Sequence, residues 1–135
     1  MILETIYTAI LSRYNETPLV TMVEGLFFCQ APRNQTGSYI VYTPIAQRQE
    51  YDMSSRLEDT LIQFRVFASP EEENEGAALA LGVGETLMAV FDDTTLDIPG
   101  GTLVRIDRQS HNIFPDPDGG WIYQIDYALL VQEGS

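Results

Sequence analysis

The stretch Trp121-Ile122-Tyr123-Gln124-Ile125-Asp126-Tyr127-Ala128-Leu129-Leu130-Val131 contains the cleanest period-two pattern of this chain. Its odd-numbered positions are all large and apolar or aromatic, which predicts a strand with one buried face. The preceding residues 116–120 read Asp-Pro-Asp-Gly-Gly, a composition typical of a tight turn. A strand over residues 102–114 on the other side of that turn completes a predicted C-terminal hairpin.

Three further strands are predicted upstream. Residues 39–49 alternate in the same way, although Pro44 cannot donate to a ladder and indicates an edge or a bulge. Residues 60–68 form the clearest of the three, and the segment between these two strands, residues 50–59, is polar and is predicted to be an extended hairpin tip. A short strand is expected at residues 23–28.

Two helices are predicted. The first spans residues 2–14, because apolar side chains recur there at helical spacing, and Pro18 forbids its continuation. The second begins at Ser69-Pro70-Glu71-Glu72, where a serine N-cap, a first-turn proline and acidic residues form a capping box. It should run to Phe91, with a kink or an early end favoured near Gly82 and Gly84. Its expected buried positions are Ala77, Ala80, Leu81, Gly84, Leu87, Met88 and Phe91.

The element order is therefore α-β-β-β-α-β-β. This order predicts an α+β fold with a mostly antiparallel sheet and two helices packed on one face. No linker or repeat interrupts the 135 residues, so residues 1–135 are expected to form a single domain.

The charge balance excludes one class of function. Twenty carboxylates face seven arginines, no lysine is present, and the formal net charge is −13. Such a surface repels a phosphate backbone, which argues against non-specific nucleic-acid binding. The chain is nevertheless 44% hydrophobic, too apolar for a disordered acidic tail. No run approaches the roughly 20 apolar residues of a membrane span, so no membrane partner is expected.

No catalytic, metal or cofactor motif is apparent. Cys29 is the only cysteine and is expected to be an ordinary buried thiol, while His111 lies mid-strand, as a structural or surface histidine would. The group Asp92, Asp93 and Asp97 and the 116–119 turn lack the spacing of a calcium loop. Gly82-Val83-Gly84 lacks the third glycine of a dinucleotide fingerprint. These observations favour a protein that is not an enzyme and binds no cofactor.

The joint order and spacing of several segments resembles the tail-terminator (tail-completion, or tail-to-head joining) proteins of tailed phages and related viruses. The segments are the Ile2-Leu3-x-x-Ile6-Tyr7-x-x-Ile10-Leu11 helix, Ala31-Pro32 before Tyr39-Ile40-Val41-Tyr42, Leu61-Ile62-Gln63-Phe64-Arg65-Val66-Phe67, Ser69-Pro70-Glu71-Glu72 with Ala77-Ala78-Leu79-Ala80, and Trp121-Ile122-Tyr123-Gln124-Ile125-Asp126-Tyr127.

The resemblance implies a structural virion protein of the tail or neck, assembled in the host cytoplasm. Similar proteins form a ring of six copies that caps the tail tube, ends its polymerisation and docks the DNA-filled head. The implied partners are further copies of the chain, the tail tube protein and a neck or head-completion protein, with DNA only as passing cargo. The charge departs from a typical member, and the absence of lysine suggests a high-salt host.

The hairpin tip is the predicted contact with a neighbouring subunit or the tube, because aromatic residues, methionine and arginine are enriched in interfaces. The predicted interface residues are Glu50, Tyr51, Asp52, Met53, Ser54, Ser55 and Arg56. If DNA passes through the ring, acidic residues are expected to outnumber arginines along its bore, since like charge shortens the dwell of DNA on the wall.

Other functions remain open from the sequence. A head–tail connector, a stopper or a minor tail protein is a similar small α+β or β-rich subunit. A small acidic enzyme or ligand-binding domain would use the Asp-rich loops. An acidic mimic of nucleic acid would be a stable monomer or dimer with its carboxylates on one face.

Overall fold

The computed structural model describes the backbone of residues 2–51, 56–68, 76–92 and 94–133. Within these residues the chain forms three helices and five strands. In order they are α1 (Ile2–Asn15), α2 (Leu19–Met22), β1 (Leu26–Phe28), β2 (Tyr39–Tyr51), β3 (Arg56–Ala68), α3 (Gly76–Phe91), β4 (Gly101–Pro115) and β5 (Trp121–Glu133).

All five strands form one sheet in the order β1-β2-β3-β5-β4. β1 pairs with β2 in parallel, and every other neighbouring pair is antiparallel. The predicted α+β class with a mostly antiparallel sheet is therefore confirmed. β5 lies inside the sheet, paired over its whole length with β3 and β4, which explains why its sequence pattern is the clearest.

The hydrophobic core lies between the helices and one face of the sheet. Buried side chains of α1, α2 and α3 pack there against the inward-facing residues of β2, β3 and β5. The predicted faces of two strands are confirmed: Ile62, Phe64, Val66 and Ala68 of β3 and Tyr123, Ile125, Tyr127, Leu129 and Val131 of β5 are buried, with Trp121 partly buried beside them.

The β2–β3 hairpin differs from the predicted extended tip. The ladder continues to the pair Tyr51–Arg56, so the two strands take up most of the segment that was expected to be a loop. Glu58, which belongs to the predicted polar tip, is only 4% exposed, and Thr60, the first residue of the predicted strand, is fully buried. β5 pairs with β3 down to Arg56, so β3 has a paired strand on both sides along this part of the hairpin. The bulge predicted at Pro44 is present, between Pro44 and Ala46.

The predicted buried face of α3 is confirmed at Ala80, Gly84, Leu87 and Phe91 and is wrong at its other positions. Its buried residues are Gly76, Ala80, Val83, Gly84, Leu87, Val90 and Phe91. Leu81, expected in the core, is 40% exposed, and Ala77 and Met88 are only partly covered. The helix passes Gly82 and Gly84 without ending, and the capping box at residues 69–72 lies outside the described residues.

The segment after α1 also departs from prediction. Pro18 does end α1, but it then precedes the short helix α2 with helical backbone angles of its own, φ −61° and ψ −17°. β1 is shorter than expected, and Cys29, expected to be buried, is exposed. Its φ of +64° reverses the chain direction directly after β1 and turns the side chain away from the core.

Candidate interaction surfaces

The predicted interface segment lies at one end of the sheet. Glu50 and Tyr51 end β2 and Arg56 begins β3, with Tyr51 paired to Arg56, while Asp52, Met53, Ser54 and Ser55 lie outside the described residues. At the same end, Glu133 of β5 pairs with both Arg56 and Gly101. The ends of β2, β3, β5 and β4 therefore lie side by side, and the end of the hairpin is paired with β5.

A second surface is the outer edge of the sheet at β4. Within the described part of the chain β4 pairs only with β5, so its other side is free along fifteen residues. Most of its side chains are exposed, including Val104 at 50%. Two bulges interrupt the register, after Leu103 and after Arg108. Bulges and charges of this kind protect an edge against uncontrolled pairing.

The third surface is a cavity on the sheet face that carries no helix. It has a volume of about 370 Å³ and lies between the strand residues Tyr39, Arg65 and Phe67 and the loop that follows β1, which contributes Cys29 and Arg33. The rings of Tyr39 and Phe67 stack at 4.9 Å with an interplanar angle of 18°. We call this site the open-face cavity.

Backbone hydrogen bonds hold the loop side of the open-face cavity. The Cys29 N–H donates to the Tyr42 carbonyl at 2.9 Å, and the Glu24 N–H donates to the Ser38 carbonyl at 2.7 Å. Gly37 has a φ of +74°, and an added Cβ there would lie 2.7 Å from the Glu24 side chain. The loop is therefore fixed at its start to β2 and at its end to the segment before β1, which gives the cavity a defined shape.

The electrostatics of the cavity mix both signs. Arg33 and Arg65 are exposed at its rim. Burial raises the pKa of Tyr39 above its usual value of 10.0, and the negative charge of Asp116 raises it further. The Tyr39 phenol can donate a hydrogen bond, but the same negative charge of Asp116 disfavours an anion on that side of the cavity.

An aromatic cluster joins α1 to the first strands. The Tyr7 and Phe28 ring centroids lie 4.3 Å apart, and Phe28 and Tyr42 lie 5.4 Å apart. The Tyr42 hydroxyl donates to the Tyr7 carbonyl at 3.3 Å. Burial, together with the negative charge that Cys29 would carry as a thiolate, raises the pKa of both tyrosines to about 12. Their role is to dock the helix on the sheet.

The polar groups that could suggest chemistry form structural pairs instead. His111 is exposed, and its Nδ1 lies 3.0 Å from the Tyr123 hydroxyl. Asp92 accepts a hydrogen bond from the Tyr127 hydroxyl at 2.7 Å and lies 3.6 Å from the Arg108 guanidinium. Asp93 lies outside the described residues.

In the 116–120 turn, the Asp116 carboxylate accepts from the Asp118 N–H at 3.0 Å, as a turn-forming aspartate does. Among the residues that the structure describes, no group of three or more His, Cys, Asp and Glu side chains could hold a metal ion. None of the described helices is both long and apolar enough to cross a bilayer.

Comparison with known proteins decides the family. The sequence model of the family described as "Tail completion protein gp17" matches residues 8–130. This chain belongs to the tail completion protein family. No curated protein matches. A chain in the solved structure titled "Virion of native gene transfer agent (GTA) particle" is similar with a TM-score of 0.72 at 13% identity, over 99% of this chain and 98% of that chain.

Membership in the tail completion family fixes the general role of the chain. It is a structural protein of the virion, and its place is the tail or neck region. At 13% identity the likeness to the gene transfer agent chain shows the fold alone, and it extends over nearly the whole length of both chains. The resemblance inferred from the order of the sequence segments is thereby confirmed.

The open-face cavity was not anticipated from the sequence. Arg33 and Arg65 are 32 positions apart, and they share a cavity because β2 and β3 pair at Val41–Arg65 while the loop after β1 folds over β2. No periodicity or motif connects these two arginines. The one available signal is their rarity in a chain with seven arginines and twenty carboxylates.

Proposed function

We propose that this tail completion protein forms a ring of six copies that caps the tail tube, ends its polymerisation and joins it to the neck. The observation that carries the proposal is the family match over residues 8–130. The fold is consistent with such a role, since the long free edge of β4 and the helix-free sheet face offer extended surfaces for contact between subunits.

The partners under this proposal are other copies of the chain, the tube protein and a neck or head-completion protein. The chain acts by contact between surfaces and catalyses no reaction. DNA passes through the ring during ejection, and the charge of −13 per chain favours an acidic bore that does not retain it. A map of the assembled ring with arginines lining the bore would refute this last point.

We place one subunit contact at the hairpin end, residues 50–56. It includes Tyr51 and Arg56, residue types that frequently dominate binding energy in interfaces. The double variant Tyr51→Ala/Arg56→Ala should weaken assembly and disturb tail length. Thr102→Ala/Gln132→Ala changes an exposed cross-strand pair at the same end of the sheet and serves as the control. Unchanged assembly and tail length in the first variant would remove residues 50–56 from the interface.

The mass of the purified protein in solution, measured with and without its tube protein, tests ring formation directly. A mass of six chains, alone or on tubes, is expected, and a chain that stays monomeric at every ionic strength and on tubes contradicts it. Electron microscopy of tails assembled without the protein tests the position. Loss of a terminator gives tubes of uncontrolled length, whereas loss of a head-side connector or stopper leaves normal tails beside full heads.

A further inference from the structure

Some of the arginines form hydrogen bonds or ion pairs within the chain, and others do not. Five of the seven have described side chains. Three of these are engaged within the chain: Arg13 donates to the Val90 carbonyl, Arg105 pairs with Asp107, and Arg108 pairs with Asp92. The other two, Arg33 and Arg65, are exposed and line the open-face cavity. Among the described residues, neither has a carboxylate within ion-pair distance.

Two arginines without a described ion-pair partner at one cavity contrast with the acidic character of the rest of the chain. The chain carries a net charge of −13, and its carboxylates far outnumber its arginines. An arginine without a carboxylate neighbour is therefore unexpected in this protein. Two arginines without a described carboxylate partner therefore lie at one cavity, although the negative charge of Asp116 acts on its Tyr39 side. Between them, the stacked rings of Tyr39 and Phe67 provide an apolar floor.

The chemistry of the lining specifies an anionic and partly apolar occupant. Guanidinium groups bind carboxylates in a planar, bidentate geometry. The Tyr39 hydroxyl adds a donor, and the ring faces can cover the aliphatic stems of glutamates. A cavity of about 370 Å³ accommodates a few side chains of a peptide segment.

We propose that the open-face cavity binds the acidic segment 71–75 of a second copy of this chain. That segment reads Glu-Glu-Glu-Asn-Glu, the densest run of carboxylates in the sequence. The inference rests on the proposed ring, which brings identical chains side by side and gives each cavity one such segment from its neighbour. Two different surfaces are thereby joined, as a closed cyclic ring requires.

Nucleic acid is a poorer occupant for the same cavity. Two arginines neutralise few phosphates, while the remaining surface of the chain repels a polyanion. A short acidic peptide segment, by contrast, brings its carboxylates to the cavity without bringing a long polyanion near the rest of the acidic surface.

Cys29 makes the proposal testable, because it is the only cysteine, it is exposed and it lines the cavity. The wild-type chain is mixed with an affinity-tagged Glu73→Cys/Cys29→Ser variant and oxidised with diamide. Each chain then carries one thiol at a different place, so a disulfide between the tagged and untagged chains reports contact between copies. The matched control is Glu85→Cys/Cys29→Ser, which also removes one glutamate but places the thiol on an exposed position of α3.

The expected result is a heterodimer on a non-reducing gel with the Glu73 variant, in at least about tenfold higher yield than with the Glu85 control. A Glu73→Cys variant that retains Cys29 is examined in parallel. If it gives only an intramolecular disulfide, the segment occupies the cavity of its own chain and the proposal is wrong. Equal yields from the Glu73 and Glu85 variants also overturn it.

A second measurement tests how much Arg33 and Arg65 contribute to the affinity between copies. Arg65→Gln should raise the dissociation constant between copies about threefold, and Arg33→Gln/Arg65→Gln about tenfold, as expected for one and two partly exposed ion pairs. Arg105→Gln is the matched control, because it removes another exposed strand arginine, one that is already paired with Asp107. The difference from wild type should shrink as salt is added.

These outcomes separate the cavity from the ring. If wild-type rings form but neither the disulfide nor the arginine effect appears, the cavity inference fails and the ring stands. If the wild-type chain does not associate under any condition, alone or on tubes, the ring fails and the inference fails with it.

Discussion

Replacing Gly84 by alanine should destabilise the protein, whereas the same replacement at Gly82 should stabilise it. Both glycines lie within α3, two positions apart. A Cβ added at Gly84 would lie 2.9 Å from Cδ2 of Tyr123 and 3.0 Å from its Cγ, but a Cβ at Gly82 would meet nothing within 4 Å. The comparison therefore isolates the contact between helix and sheet from the effect of the residue type.

The magnitudes follow from two opposing effects. Alanine is favoured over glycine in a helix interior by about 1 kcal/mol at both positions. At Gly84 the close contact adds an overpacking cost of about 2–3 kcal/mol. Tyr123 cannot easily move aside, since it is 4% exposed on an interior strand and its hydroxyl is hydrogen-bonded to His111 at 3.0 Å.

The free energy of unfolding should therefore rise by about 1 kcal/mol in Gly82→Ala and fall by about 1–2 kcal/mol in Gly84→Ala. Urea unfolding followed by far-UV circular dichroism measures both values. All variants must be compared at one protein concentration, because self-association would make the apparent stability depend on it.

A double-mutant cycle identifies the clashing partner. In a Tyr123→Leu background the aromatic ring is gone, so Gly84→Ala should cost at least about 1 kcal/mol less than in the wild type. Gly82→Ala should have the same effect in both backgrounds. A Gly84→Ala variant as stable as Gly82→Ala, or a cycle without coupling, would refute the close packing of α3 on β5 as the reason for this glycine.

Three other outcomes are expected. Tyr127→Phe should lower the free energy of unfolding by about 1–2 kcal/mol in urea melts, because it removes the 2.7 Å hydrogen bond to the Asp92 carboxylate, and Asp92→Asn should cost less because it keeps an acceptor. Tyr7 and Tyr42 should ionise near pH 12 in an absorbance titration, against pH 10.0 for a free tyrosine. Between these values the folded state holds more protons than the unfolded chain, so stability that is full below pH 10 should fall as pH rises towards 12, and a flat stability profile over this range would contradict the shifts. The exposed Cys29 should react with one equivalent of DTNB in the native, unassembled chain, and a thiol that reacts only in denaturant would contradict its position.

Strands with one buried face were well predicted because their alternation has a single physical cause. In β5 every second side chain from Tyr123 to Val131 enters the core, and the intervening residues face the other side of the sheet. Pro44 carried the same kind of local information, since its missing N–H forces an irregular ladder wherever the strand pairs. The 116–120 turn was equally readable from its residue types.

The buried face of α3 was predicted only in part. The helix is apolar on nearly all sides, so Leu81 and Val83 compete equally for the core in any spacing argument. Tertiary packing decides between them: Gly84 sits against Tyr123, which turns Val83 inward and Leu81 outward. A helix without a polar face contains too little information to define its own rotation.

Cys29 illustrates a different limit. Its type and its apolar neighbours favour burial, but its backbone adopts φ +64°, a conformation usually taken by glycine or asparagine. The Cys29 N–H is held by the Tyr42 carbonyl, so the parallel pairing of β1 with β2 imposes the turn. Such a constraint depends on a partner strand, so the residue type at position 29 does not indicate it.

The charge of the chain makes the position of each arginine more important than the total. Six neighbouring copies at −13 each would repel one another, but at physiological ionic strength the repulsion is screened beyond a Debye length of about 8 Å. Closure of the proposed ring would then depend on contacts shorter than that length, where an arginine meets a carboxylate directly. Three described arginines are used within the fold, and Arg33 and Arg65 remain for contacts outside it. Added salt should therefore have opposite effects on the two contributions: it should favour association of the Arg33→Gln/Arg65→Gln variant by screening net repulsion, and favour wild-type association less, because it also weakens the cavity contact.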